Sequence, residues 1–153
     1  MQLKATDLAT ARARRALVFA LRWIGTVSGT AIVAALMPLS WIAAAHEAIG
    51  LGPLPEGPVV EYLARSTSFL YAALGGLMWL IASDPVRHAR LLGLILVLGF
   101  AAAPGLLVLD HCAGLPAWWR LGEGPAVLLI CGVLAVLAAR AGILFRSGRP
   151  DAR

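Results

Sequence analysis

Four long apolar stretches make up most of this chain, and short segments between them carry nearly all of the charges. Each stretch is long enough to cross the hydrocarbon core of a bilayer, which is about 30 Å thick and needs roughly 20 apolar residues in a helix. The pattern predicts membrane-spanning helices at about 23–45, 62–83, 88–109 and 125–145. We therefore expect an all-α fold, an integral membrane four-helix bundle.

The predicted boundaries follow from capping and charge signals. Residues 1–22 are basic and are expected to form a cytoplasmic leader, while residues 146–153 are expected to be a disordered cytoplasmic tail. Asp84-Pro85 divides the second span from the third, since Asp is a good N-cap and Pro suits the first helical position. The fourth span is short unless it continues to Phe145, which requires Arg140 to extend its side chain to the interface.

Composition supports lipid as the solvent. Hydrophobic residues make up 60% of the 153 residues and charged residues 14%, and the mean hydropathy is +0.83. A soluble domain of this size could not bury so much apolar surface. The net charge of +5 is not gathered in one basic stretch, so nucleic-acid binding is not predicted. Cys112 and Cys131 match no metal-binding spacing, and no metal or cofactor is predicted.

The distribution of lysine and arginine predicts the orientation, because cytoplasmic loops of membrane proteins carry an excess of both. With the N-terminus inside, the outer segments hold only Arg65 and Arg120, and the other eleven of the 13 basic residues lie inside. An even number of spans then places both termini in the cytoplasm. The expected location is the bacterial cytoplasmic (inner) membrane, as a multi-pass protein.

Cleavage of a signal peptide is an alternative interpretation of the N-terminal region. Residues 1–45 have a basic front, an apolar middle and three small residues before His46. Against this, the apolar stretch is about twice the usual 7–15 residues of a signal-peptide core. Cleavage would leave three spans and an external N-terminus.

Polar residues collect at the predicted outer ends of the helices. We expect them to line one shallow polar cup, formed by Glu61, Arg65, Asp110, His111, Arg120 and Glu123. Glu61 and Arg65 are four residues apart and can pair on one helix face. Asp110 opposes the helix dipole at the end of its helix, so it is expected to pair with Arg65 or Arg120. The alternative is that these charges only cap helices and anchor loops.

Two further patterns leave their alternatives open. Gly25-x-x-x-Gly29 can provide a homodimer interface or can let the first helix pack closely within its own bundle. His46 and Glu47, together with the polar residues that end the third helix, have the atoms of a divalent-metal site. Their spacing matches no motif, however, and no metal site is predicted.

The region from Tyr62 to Pro125 resembles a group of small, uncharacterised bacterial multi-span membrane proteins with no assigned activity. The matching features are Arg65-Ser66-x-Ser68, Leu70-Tyr71, Gly75-Gly76, Asp84 with Arg87, Asp110, Gly114-x-Pro116, Trp118-Trp119 and Glu123-Gly124-Pro125. The resemblance implies a multi-span bacterial membrane protein and includes Arg65, Asp110 and Glu123 in the group's shared pattern. It implies no mechanism.

Three functions are compatible with these patterns. The first is a non-enzymatic accessory or structural subunit of a larger membrane complex, favoured because no catalytic spacing and no charge at the middle of a span is found. The second is a small carrier or channel, which would use the helix break expected at Pro104. The third is a membrane-embedded enzyme that acts on a lipid headgroup or quinone in the polar cup.

Overall fold

The computed structural model describes residues 2–144 and the side chains of residues 6–144. Helices are the regular secondary structure of this part of the chain, and it contains no strand. Its helices are α1 (Gln2–Gly29), α2 (Ala31–Leu36), α3 (Leu39–Ala48), α4 (Pro58–Ser83), α5 (Ala89–Cys112) and α6 (Ala117–Arg140). Four stretches are long and apolar enough to cross a membrane, namely Thr6–Leu36 and the whole of α4, α5 and α6. The predicted all-α fold with four spans is confirmed.

The first span differs from the prediction at both ends. The structure has no break at residue 22, because α1 is continuous from Gln2 to Gly29. A break occurs instead inside the predicted 23–45 span, between Leu36 and Leu39. Pro38 accounts for it, since proline lacks an N–H and its ring clashes with the carbonyl four residues earlier. The apolar residues beyond Pro38 form the separate short helix α3.

The fourth span was predicted to start at Pro125, and this start is wrong. α6 begins at Ala117, contains Pro125 and ends at Arg140. Its 24 residues extend over about 36 Å at 1.5 Å per residue, so no continuation to Phe145 is needed. Phe145 and the predicted tail 146–153 lie outside the described residues. Similarly, α4 starts at Pro58 rather than at residue 62, and α5 extends three residues past the predicted end at 109.

The bundle is packed mainly at one end, which we call the Asp84 end because the α4–α5 connection lies there. One apolar core joins α1, α4, α5 and α6 at this end; its buried members are Leu17, Leu21, Met78, Ile81, Ala82, Leu92, Leu96, Cys131, Leu134, Ala138 and Ile143. The opposite end, which we call the α3 end, carries α3 and the α5–α6 turn. The other buried hydrophobic side chains of the described part of the chain are all alanines, Ala13 near the Asp84 end and Ala35 and Ala103 towards the α3 end.

Glycines set the closest helix contact. A Cβ atom added to Gly75 of α4 would lie 2.6 Å from both the carbonyl oxygen of Gly25 and the backbone nitrogen of Gly29 in α1. The backbones of α1 and α4 therefore touch where glycines face each other, as small residues allow in membrane helices. Of the two alternatives for Gly25-x-x-x-Gly29, the structure shows packing within the bundle.

Candidate functional site

The six residues of the predicted polar cup fall into two groups at the α3 end. Glu61 and Arg65 lie in the first two turns of α4, and the other four belong to the α5–α6 hairpin. Among the described residues, no hydrogen bond or ion pair joins a member of one group to a member of the other. The structure therefore brings these side chains to the same end of the bundle but does not join them in one polar network.

In the first group, Arg65 holds α4 against the broken end of α2. Its Nε and Nη2 atoms lie 2.9 Å from Oε1 of Glu61, so the predicted i,i+4 pair is confirmed. Its Nη1 donates hydrogen bonds to the carbonyl oxygens of Ala35, at 2.7 Å, and Met37, at 3.1 Å. These carbonyls lie beside the helix break at Pro38. We call this set of contacts the Arg65 clamp.

In the second group, Glu123 binds an indole rather than a cation. The Nε1 of Trp119 donates a hydrogen bond of 2.6 Å to Oε2 of Glu123, one helical turn further along α6. This pair was not predicted from the sequence, because α6 was expected to begin only after Glu123. On a helix that starts at Ala117, the i,i+4 spacing would have indicated it.

Asp110 is the one charged side chain that is buried in the described part of the chain, with 5% of its surface exposed. It continues the stripe of α5 that buries Leu96 and Ala103, because steps of seven residues return to the same helix face. Its Oδ2 atom has no hydrogen-bond partner among the described residues, and no arginine nitrogen lies within the 4.0 Å that defines an ion pair. The predicted pairing of Asp110 with Arg65 or Arg120 is therefore wrong.

The two arginines have other contacts for a geometric reason. Arg65 extends towards α2, where the proline break leaves carbonyl groups free. Arg120 extends across the α5–α6 hairpin, and its Nη1 lies 3.1 Å from Nδ1 of His111. The Nε of Arg120 is buried without a hydrogen-bond partner. In this part of the structure, no carboxylate pairs with the Arg120 guanidinium.

An open cavity of about 570 Å³, whose apolar lining is exposed at the surface, lies beside Arg120, between the last two turns of α5 and the start of α6. Its lining is Leu107, Val108, His111, Cys112, Ala117, Arg120 and Leu121. The lining is apolar apart from the imidazole, the guanidinium and the exposed thiol of Cys112. His111 and Arg120 were predicted from the sequence as candidate site residues. The leucine and valine side chains that line the cavity were not, since nothing in their spacing distinguishes them from lipid-facing residues.

The His and acidic residues that could have supplied metal ligands do not come together in the described part of the structure. No three His, Cys, Asp or Glu side chains of the described chain are grouped so that they could hold an ion. His46 instead contacts the connection after α3, where its Nδ1 lies 2.8 Å from the carbonyl oxygen of Gly52. This contact holds the end of α3 against the following loop.

Taken together, the helices and their polar contacts define an all-helical bundle with four stretches able to cross a membrane. Compared with protein-family models, with curated proteins and with solved structures, the chain matches none of them.

Proposed function

We propose that this chain is a non-enzymatic, multi-pass membrane protein that acts as an accessory subunit of a larger membrane complex. The observation that carries the proposal is the uneven packing of the bundle. α4 packs on α1 and α2, α5 packs on α6, and α4 and α5 barely touch although they follow each other in the chain. The shared core lies at the Asp84 end. A transmembrane helix of a partner would complete the packing at the α3 end.

The polar contacts support the same proposal, because they hold this chain together. Arg65 joins α4 to α2, and Arg120 joins the two helices of the α5–α6 hairpin through His111. An enzyme would need Glu61, Arg65, Asp110 and Glu123 around one space, and they are divided between two groups. A carrier would need a cavity that passes Pro104, whereas the cavity at the hairpin is lined from Leu107 outward.

Site-specific photo-crosslinking in native membranes tests the proposal. A crosslinking amino acid is placed at Leu70 or Leu109 in the α3 half of the bundle, and at Leu80 or Leu94 in the Asp84 half as matched controls; all four side chains are exposed. We expect one partner protein to be captured from the α3 half and none from the Asp84 half. Equal capture from both halves, or capture of no protein at any position, would contradict the proposal.

We further propose that the protein lies in the bacterial cytoplasmic membrane with both termini in the cytoplasm and with residues 1–45 retained. The charge asymmetry of the loops supports the orientation. Retention is supported by the core, since Leu17 and Leu21 are completely buried in it and Gly25 packs against α4. Cleavage after residue 45 would expose the core around these side chains.

Cysteine labelling tests the orientation. In a background without Cys112 and Cys131, single cysteines are introduced as Glu56→Cys and Arg87→Cys, at exposed positions of the two opposite ends. A membrane-impermeant maleimide is expected to label Glu56→Cys in intact cells and Arg87→Cys only after permeabilisation. The reverse pattern would show that the orientation is inverted. An N-terminal epitope tag that is missing from the mature protein would show that the leader is cleaved.

A further inference from the structure

Arg120 differs from the other cation at the α3 end in its surroundings. Arg65 is satisfied by Glu61 and two backbone carbonyls. Arg120 has a single hydrogen-bond contact, to His111, and its buried Nε has no partner in the described chain. Neither acid of the same hairpin forms an ion pair with Arg120, since Glu123 accepts a hydrogen bond from the Trp119 indole and Asp110 has no arginine nitrogen within 4.0 Å. Arg120 is therefore a positive charge without a counter-charge among the residues that the structure describes.

The cavity beside Arg120 has the shape and chemistry of a site for an amphiphile. Its volume of about 570 Å³ is within the range of roughly 300–1,000 Å³ that is typical of ligand sites. Leu107, Val108 and Leu121 offer apolar contact, while Arg120 and His111 offer nitrogen donors at one end. Guanidinium groups bind phosphate with charge-assisted hydrogen bonds.

We propose that this cavity binds the headgroup of an anionic phospholipid such as phosphatidylglycerol, with its phosphate on Arg120 and the start of an acyl chain against Leu107 and Leu121. The headgroup is anionic rather than zwitterionic because the lining contains no carboxylate that could pair with a choline or ethanolamine cation. The position at the end of α5 and the start of α6 is where a lipid headgroup meets a helix that crosses the bilayer. This site is independent of the accessory-subunit proposal.

Cys112 lines the same cavity and is exposed, so its thiol reports whether the cavity is occupied. The purified full-length protein is placed in nanodiscs of phosphatidylcholine, or of an equal mixture with phosphatidylglycerol. Alkylation of Cys112 by the uncharged reagent N-ethylmaleimide is followed by peptide mass spectrometry, which separates it from the buried Cys131. We expect phosphatidylglycerol to slow alkylation about threefold or more, the factor 1 + [L]/Kd when the lipid exceeds its Kd severalfold.

Two variants and one control localise the effect. Arg120→Gln should abolish the protection, and Val108→Trp should abolish it without any change of charge, because the larger ring fills the cavity. Arg140→Gln removes an exposed cation in the last turn of α6, at the Asp84 end, and should leave the protection unchanged. Circular dichroism checks that each variant keeps its helices.

Three outcomes would overturn the lipid site. The first is no protection in the unmodified protein. The second is equal protection in Arg120→Gln, which would show a general effect of the charged bilayer surface. The third is full protection by inorganic phosphate in phosphatidylcholine nanodiscs, which would identify a water-soluble anion rather than a lipid as the ligand.

Discussion

Replacing Gly75 by leucine is expected to lower the free energy of unfolding by about 3 kcal/mol, the upper part of the usual range for overpacking. A side chain at this position has no space, because its Cβ alone would lie 2.6 Å from backbone atoms of Gly25 and Gly29. Backbone atoms cannot move aside as a flexible side chain can, so α1 and α4 must separate. The measurement is unfolding of the purified protein in mixed micelles with increasing SDS, followed by circular dichroism and tryptophan fluorescence.

The neighbouring glycine provides a matched control. Gly76 is on the same helix, and a Cβ added there would have no atom within 4 Å. Gly76→Leu is therefore expected to leave the free energy of unfolding unchanged or to raise it by up to about 1 kcal/mol, because leucine is a better helix former than glycine. If both substitutions destabilised the protein equally, the cause would be the helix itself, and the close contact between α1 and α4 would be wrong.

Replacing Arg65 by alanine is expected to lower the free energy of unfolding by about 1–3 kcal/mol, because two part-buried carbonyls lose their partner and an unsatisfied buried polar group costs about 1–3 kcal/mol. The two carbonyls are those of Ala35 and Met37, next to the break at Pro38. The ion pair with Glu61 adds little, since 29% and 41% of the two side chains are exposed and such pairs contribute at most about 1 kcal/mol. The same unfolding measurement in mixed micelles applies.

A local readout separates the Arg65 clamp from a general effect of charge. In Arg65→Ala, hydrogen–deuterium exchange is expected to increase first in α2 and at the α2–α3 junction. Arg65→Lys should recover only part of the stability, because an ammonium group lacks the planar set of donors with which Arg65 reaches a carboxylate and two carbonyls at once. Arg87→Ala, at an exposed arginine of the Asp84 end, is the control. Unchanged exchange at the junction would contradict the clamp.

These two predictions concern the contacts that hold α4 against α1 and α2. Both contacts influence the proposed partner site. Gly75 sets the spacing of α1 and α4, while the Arg65 clamp fixes α2 and the start of α4 at the α3 end. A variant that loosens the clamp while keeping the core at the Asp84 end is expected to lose the partner captured from the α3 half. The proposed lipid site lies on the α5–α6 hairpin, so this variant should still bind the lipid.

Local sequence patterns determined the helical class of this protein and the number of its stretches that are able to cross a membrane. Apolar stretches of this length can satisfy their backbone polar groups inside a bilayer only as helices, and the structure has four of them. The pairing of Glu61 with Arg65 was also predictable, because both partners lie one turn apart on the same helix. Such statements need only the geometry of a single helix.

Only the tertiary structure decided which proline or glycine interrupts a helix. Pro38 breaks the first span, where Arg65 of another helix compensates the free carbonyls. Pro125 was expected to begin α6 directly after Gly124, but both residues lie inside the helix. A Cβ at Gly124 would lie 2.6 Å from Cγ of Leu107, so this glycine allows α5 and α6 to approach closely. The Gly-Pro pair that is typical of a turn in the sequence therefore lies at a contact between two helices in the structure.

The partners of the remaining charges were also decided by tertiary structure. Asp110 was expected to meet an arginine, yet the apolar stripe of α5 determines the rotation of the helix and carries Asp110 into the interior. Arg120 lies against His111 and the cavity instead. The spacing of residues along one helix is a local property, whereas the rotation and separation of two helices depend on how their surfaces pack. That packing sets the distance between side chains on different helices, and no pattern within a single segment contains it.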